Sequence, residues 1–500
     1  MTEIADFATI VLIVAGGFSL AAISTKLTER VPVPAPALFL IAAAIASDLW
    51  PQIYEHVQIQ TMERIAVVAL IVILFNGGID ITMRRLREAA VPVLSLGLVG
   101  TFLTAGGIAA VAHWGLGMDW TLAGLVGAAL APTDPAVMFS VLGRREIHGR
   151  SGTTLEGEAG MNDPAGIALM VGMVELATHD DATLLVVGRE FVVEMAVGAV
   201  FGLLGGRLLV PLLRRARLPS GSMYPVFALT LAGALYGVTS IAHGSGFLAV
   251  FLAGLIIGDA RVPYKAEIER FHSSLAGLAE LVVFVALGAT VHVFDLELRD
   301  WLEGLALVAA TALVIRPSVV AMTLPAVRMS LAEKAFIAFS GLKGAVPVLL
   351  AAFAILGGVP DGQRIYDLVF IAVLVSVVAQ GSFVPLVATR LRIPTRLRDQ
   401  LPWELSVRVA TEPTGAHEYS VAARSEADGV ALGDLPLGDD AWVTLVVRDG
   451  DALQPSRDMR LQSGDRVLVL ADDRERLRLL QARFAPPAAS VAGRSEQVRR

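Results

Sequence analysis

The chain has no cysteine. This excludes disulfides, thiolate metal sites and a cysteine nucleophile. Charge is scarce as well: 17% of the 500 residues are charged, against 55% hydrophobic. Soluble domains carry about 25% charged residues, so this balance marks a polytopic membrane protein. The net charge of −7 says little, because the location of charges matters more than their sum in such a chain. Nothing in it suggests a nucleic-acid partner. The start, Met1-Thr2-Glu3-Ile4, lacks the basic region and small-residue cleavage site of a signal peptide, so the first apolar segment is expected to be retained.

What is abundant is apolar runs of about 20 residues, each enough to cross the ~30 Å hydrocarbon core as a helix. Thirteen qualify: 5–25, 33–50, 62–80, 91–112, 120–142, 156–177, 184–211, 222–241, 244–260, 273–293, 301–325, 332–357 and 366–389. The loops provide a check. Those after odd-numbered segments carry Lys26, Arg30, Arg84, Arg85, Arg87, Arg144, Arg145, Arg150, Arg214, Arg215, Arg217, Arg261, Lys265, Arg270, Arg328 and Lys334. Those after even-numbered segments carry only Arg64, Arg189, Arg299 and Arg364. The positive-inside rule then puts the N-terminus outside and the C-terminus in the cytoplasm, as expected of a multi-pass protein of the cell membrane.

The character changes beyond Arg390. Residues 1–390 read as the membrane domain. Residues 403–484 read as a small α+β cytosolic domain, with β-like runs EYSVAA, AWVTLVV and DRVLVLA and turn signals at Asp449-Gly450 and Ser463-Gly464-Asp465. Residues 473–484 read as helix. The Pro/Ala-rich stretch 485–500 is expected to be disordered.

Four places break the apolar pattern. Segment 5 holds Ala131-Pro132-Thr133-Asp134-Pro135, and segment 6 holds EGEAGMNDP from Glu156 to Pro164. Segment 11 holds Arg316-Pro317, and segment 12 holds Gly341-Leu342-Lys343-Gly344-Ala345-Val346-Pro347. At ~1.5 Å per residue, Asp134, Asp163, Arg316 and Lys343 all fall roughly 10–20 Å from a surface. A carboxylate at the bilayer centre costs ~2.5–3.5 kcal/mol on the lenient scale, so a functional role is the default reading. Interior prolines should unwind segments 5 and 12. These two are seven segments apart and therefore run in opposite directions. Interrupted helices at matching positions of two inverted halves point to a secondary transporter. Asp134 suits the positive N-terminal ends exposed at such breaks, and Lys343 the negative C-terminal ends.

With these residues in view, the chain resembles the monovalent cation:proton antiporters of the sodium/proton exchanger type. The likeness rests on Thr133-Asp134-Pro135, Glu158-x-Gly-x-Asn162-Asp163-Pro164, Arg316 and the broken segment 12, and spans residues 1–390. It implies an all-α fold of about thirteen transmembrane helices in inverted repeats, and a homodimer. It further implies Asp163 as cation and proton carrier, oxygen ligands from Thr133, and Arg316 neutralising Glu158 with Asn162 orienting that pair. The tail resembles a TrkA-C domain, a regulatory unit that could take a small-molecule ligand. Two positions depart from the family. Ala159 stands where a serine is frequent, leaving only its carbonyl as a ligand, and Asn76 stands where an acid is frequent in potassium-type members. Both bear on selectivity between potassium and sodium.

Helical geometry adds a division of labour. Glu158 and Asn162 share one face of segment 6, and Ala159 and Asp163 the neighbouring face. Glu158 and Asp163 are ~140° apart around the helix. One acid can therefore be locked in an ion pair while the other is left to hold a proton or a cation in turn. Competition for one carboxylate is electroneutral exchange, with no cofactor and no metal beyond the transported ion. The expected partners are protons, potassium or sodium, and membrane lipid. Glu156, near the inner surface, reads as a cation attractor. Glu194 and Glu280 read as partners of polar groups between helices. His113, His179, His243, His272 and His292 read as solvated groups at helix ends. Two other classes compete: a channel-like conductance protein gated by the tail, which lacks a TVGYG-type filter, and a carboxylate-based intramembrane protease, which needs two free acids.

Overall fold

The computed structural model describes residues 34–50, 59–81, 83–142, 145–147, 149–179, 182–325, 327, 329–397, 416–423, 425–435, 441–448, 451–471 and 483–484. The expected segment 5–25, the tail 485–500 and nearly all of the expected helix 473–484 lie outside the described residues. The chain divides into two units, Met1–Glu404 and Leu405–Arg500.

In the first unit the helices are α1 Ala35–Leu49, α2 Ile59–Ile81, α3 Met83–Glu88, α4 Ala90–Leu116, α5 Trp120–Leu130 and α6 Pro135–Leu142. They continue with α7 Arg150–Thr178, α8 Leu184–Arg215, α9 Met223–Ile241, α10 Gly246–Asp259 and α11 Lys265–Gly288. The last four are α12 Leu298–Thr323, α13 Leu331–Phe339, α14 Ala345–Leu356 and α15 Gly362–Arg390. Among the described residues, seven helices are long and apolar enough to cross a membrane: α2, α4, α8, α9, α11, α12 and α15. From the second onward, each expected segment coincides with a helix or with two half-helices. Segment 5 is α5 and α6, and segment 12 is α13 and α14. Both breaks fall where proline and glycine deny the backbone its helical donors or shape.

Two packing groups stand out. Helices α1, α11, α2, α10 and α8 pack side by side in that spatial order. Their close approaches rest on small residues, since a Cβ on Gly78 would fall on the backbone of Phe251 and Gly254. The other group gathers α4, α5, α7, α12, α14 and α15, which holds both broken segments. Three of its helices contain a π-helical turn: Ser95–Gly100 in α4, Thr311–Ile315 in α12 and Ser376–Gln380 in α15. Such turns leave carbonyls imperfectly paired and occur frequently at functional sites. A short antiparallel pair, β1 Arg145–Ile147 with β2 Thr395–Leu397, joins the residues after α6 to those after α15.

Two expectations need correction. Helix α11 begins at Lys265, not near 273, so His272 lies inside it rather than at an end. It is fully buried, its Nδ1 2.7 Å from the Ile268 carbonyl and its ring edge-on to Phe75. Helix α7 begins at Arg150, which sets Asp163 thirteen residues into it, deeper than an onset at 156 implies.

The second unit holds an antiparallel sheet in the order β3-β6-β4-β5, with β3 Ala416–Ser420, β4 Ala441–Arg448, β5 Asp451–Leu453 and β6 Arg466–Ala471. On the central β6, Val467 and Val469 alternate inward and pack with Val421, Leu432, Val446, Leu461 and Phe484.

Candidate functional site

The site grows from the two helix breaks. Helix α5 stops at Leu130 and α6 starts at Pro135; α13 stops at Phe339 and α14 starts at Ala345. The unwound strands cross, and the Asp134 amide donates to the Leu342 carbonyl at 2.8 Å. Four half-helix ends therefore meet inside the protein, two carrying partial positive charge and two partial negative.

Each end meets a suitable group. Lys343 Nζ donates to the Ala131 and Pro132 carbonyls, both at 3.2 Å, at the C-terminal end of α5. Gln380 Nε2 donates to the Phe339 carbonyl at the C-terminal end of α13. Asp134 directly precedes the N-terminus of α6. Its carboxylate also lies against Gly344, at the start of α14: a Cβ there would overlap it, so the position requires glycine. The Lys343 amide donates to Ser376 Oγ at 3.1 Å, which ties the second break to the π turn of α15.

Beside this crossing runs α7. Arg316 and Glu158 form a two-pronged ion pair, Nη1 to Oε1 at 2.6 Å and Nη2 to Oε2 at 2.7 Å. Both are buried, at 3% and 1% exposure, so each depends on the other to offset the cost of leaving water. Asn162 Nδ2 donates to Thr133 Oγ1 at 2.8 Å, and Thr133 Oγ1 lies 3.5 Å from Glu158 Oε1. Asn162 thus reaches the ion pair through Thr133 rather than directly. Its Oδ1 is buried with no hydrogen-bond partner, an acceptor left over in a dry place.

The backbone supplies another acceptor. Pro164 lies inside α7 and has no N–H, so the carbonyl four residues earlier, that of Gly160, loses its helical donor. The Ala159 carbonyl faces the Asp163 amide in the same ladder and is the less available oxygen.

Asp163 is buried and opens on a cavity of about 40 Å³. Asp134, Asp163 and Glu280 line it, with Leu70 and Ile73 of α2 and Ala345 and Val346 of α14 among its apolar walls. Glu280 is the residue that sequence reasoning undervalued. A signal was present: on its helix, Ala276, Gly277, Val283 and Phe284 surround it one turn away, and none can neutralise it. Glu194 is half-buried on α8 and does not line the cavity, and Glu156 is partly exposed on α7. Asn76 donates from Nδ2 to Asp80 Oδ2 at 2.8 Å, a bond within its own helix. No three His, Asp or Glu side chains among the described residues are grouped closely enough to clasp one metal ion together.

Residues 17–390 match the family described as sodium/hydrogen exchanger, transmembrane, and residues 416–484 match the TrkA-C domain. The chain belongs to the sodium/hydrogen exchanger family. Among relatives, this exchanger is 32% identical to the K(+)/H(+) antiporter NhaP of Alkalimonas amylolytica over 469 residues, 92% of this chain and 80% of that one. It is 31% identical to the K(+)/H(+) antiporter NhaP2 of Shewanella sp. strain ANA-3, covering 92% and 81%. Its fold matches the sodium proton antiporter MjNhaP1 of Methanocaldococcus jannaschii, with a TM-score of 0.66 at 23% identity, covering 75% of this chain and 99% of that chain.

Proposed function

We infer that this exchanger carries a monovalent cation, potassium or sodium, against protons across the cell membrane. The observation that carries the reading is the unequal fate of two acids on one helix. Glu158 is held by Arg316, whereas Asp163 faces a cavity with apolar walls. An ionised carboxylate in such a place must be neutralised. A proton does this and so does a monovalent cation, and the two exclude each other. Thr133 at the helix break and the unpartnered Oδ1 of Asn162, next to Asp163 in sequence, supply neutral oxygens and join Asp163 as proposed ion ligands. Shifting the loaded site from one side of the membrane to the other then couples the two fluxes.

One mobile carboxylate implies one cation per proton, hence electroneutral exchange that adjusts cytosolic pH and cation content. The charge pattern of the loops supports an external N-terminus and a cytoplasmic TrkA-C unit acting as regulator. Family membership supports a homodimer. A channel is the weaker reading, because a site that must alternate between proton and cation saturates. An intramembrane protease is weaker still, because Arg316 occupies one of the acids it needs. The test is exchange in proteoliposomes across the alkali cations at several pH values. Saturable cation flux with opposite proton flux supports antiport; cation flux without proton movement would defeat it.

A further inference from the structure

The cavity has two walls of different origin. Asp134 and Asp163 belong to the group that holds the broken helices. Glu280 belongs to α11, which packs on α1 and α2 in the other group. At ~1.5 Å per residue, Glu280 lies ~22 Å from the start of α11 and Asp163 ~20 Å from the start of α7, so they sit at matching depth. Val283, on the next turn, lines the cavity beside Glu280. Glu280 Oε1 is buried and accepts no hydrogen bond. A structural carboxyl inside a protein is expected to be satisfied. This one is aimed at a space and left open.

The space fits an ion with water. A buried water needs about 10–15 Å³ by this measure, so about 40 Å³ takes on the order of three water-sized occupants. Oxygen is the donor that alkali cations prefer, and carboxylates are the principal oxygens on these walls. The three acids are too widely spaced to chelate a bare ion jointly. A cation at Asp163 would therefore meet Glu280 across water.

Resting on the antiport reading above, we propose that Glu280 is a cation-facing, specificity-determining carboxylate of the exchange cavity. It acts on the transported ion through water, from the wall opposite Asp163. Its carboxylate holds the hydrated ion at the site, and the ion it shares through water with Asp163 supplies the positive charge that its dry setting demands. Its reach sets how much of the hydration shell fits, and so biases the choice between potassium and sodium. Asp163 remains the group that exchanges its occupant.

The experiment compares full-length wild type, Glu280→Gln and Glu280→Asp in proteoliposomes, titrating potassium and sodium separately. Glu280→Gln keeps shape and removes charge, so KM should rise roughly tenfold or more, as losing a unit charge several ångströms from the ion implies. Maximal rate should fall far less. Glu280→Asp keeps charge and withdraws the oxygens, so KM should stay near wild type while the potassium-to-sodium ratio shifts. Unchanged KM and unchanged cation ratio in Glu280→Gln would overturn the proposal. So would a Glu280→Asp protein as impaired as Glu280→Gln, which is the mark of a merely structural carboxyl. If Glu280→Gln does not fold, an unshifted cation ratio in Glu280→Asp overturns it. A wild type that exchanges no alkali cation defeats the antiport reading instead.

Discussion

The Asp134 amide donates to the Leu342 carbonyl at 2.8 Å, across two unwound segments more than two hundred residues apart in sequence. That bond makes the two helix breaks one object. It leaves Lys343 facing the carbonyl end of α5 and Asp134 facing the amide ends of α6 and α14. Fixed charges are thereby matched to fixed dipoles. Glu158 is likewise matched to Arg316. In the proposed cycle, Asp163 is left for the traffic.

Asp163→Asn should insert and fold as wild type and lose exchange. The amide keeps the shape of the side chain but neither binds nor releases a proton in this pH range and offers no charge to a cation. Proteoliposome flux checks this, with amount and monodispersity in detergent as the folding control. Substantial exchange by a well-folded Asp163→Asn protein would remove Asp163 from the carrier role.

Arg316→Ala should cost stability as well as transport. It strands Glu158 in a dry setting, and breaking a buried pair costs about 3–5 kcal/mol. Adding Glu158→Gln removes the stranded charge, so the double variant should melt above the single. Thermal unfolding in detergent reads this directly. A double variant no more stable than Arg316→Ala would show that the two residues are not energetically coupled.

These predictions show which features the sequence made legible. Both helix breaks could be read, because proline and glycine interrupt apolar runs at 131–135 and 341–347 and each interruption carries a charge. Three of the four strands of the second unit were legible as β-like runs between turns; the short β5 was not. Glu280 was legible only as an acid with no neutralising neighbour one turn away; the run around it, from Leu275 to Leu287, is otherwise apolar and does not tell which face lines a cavity. The π turns left no compositional trace at all. Nor did the β1–β2 pair, three residues a side and joining distant parts of the chain. The family resemblance implied that Asn162 orients the ion pair, and it shares a helix face with Glu158. The contact it makes instead, with Thr133, depends on a neighbouring segment that helical spacing within α7 does not describe.

In the second unit, Asp465 is buried and receives Arg448 Nε and Nη2, each at 2.8 Å, as well as the Gln462 amide at 2.7 Å. The hydrogen bonds from Arg448 hold its carboxyl below the usual carboxylate range. A depressed folded-state value stabilises the unit above the unfolded value of ~3.9, and that contribution is lost as pH falls through the folded one. At neutral pH it is fully present. Arg448→Ala should therefore weaken the unit by about 1.5–3 kcal/mol, the worth of a hydrogen bond to a charged group, and shift the onset of its acid loosening to higher pH. Hydrogen exchange over residues 416–471 of the full chain measures both. If this unit only regulates, exchange itself should persist in Arg448→Ala with an altered dependence on pH or cations. Complete loss of exchange in a correctly inserted protein would give the unit a larger role.

The last prediction concerns voltage. Asp134 and Lys343 sit at helix ends, and Glu158 and Arg316 form a pair. These four charges sum to zero and keep their partners through the proposed cycle, so only Asp163 changes occupant. Proton and monovalent cation give the loaded site the same net charge, and a membrane potential then does no net work over a full cycle. Each uncompensated elementary charge would instead contribute ~2.3 kcal/mol per 100 mV. In proteoliposomes clamped with a potassium-selective ionophore and supplied with sodium as substrate, the zero-flux sodium gradient should equal the proton gradient at every imposed potential. If potassium is the transported ion, the converse arrangement applies. A zero-flux point that moves with voltage requires a second carboxylate titrating within the cycle. Glu280, open to the same cavity and lacking an ion-pair partner among the described residues, is then the group to replace. If Glu280→Gln restored voltage independence to such a protein, its carboxylate would carry the extra proton rather than only facing the cation.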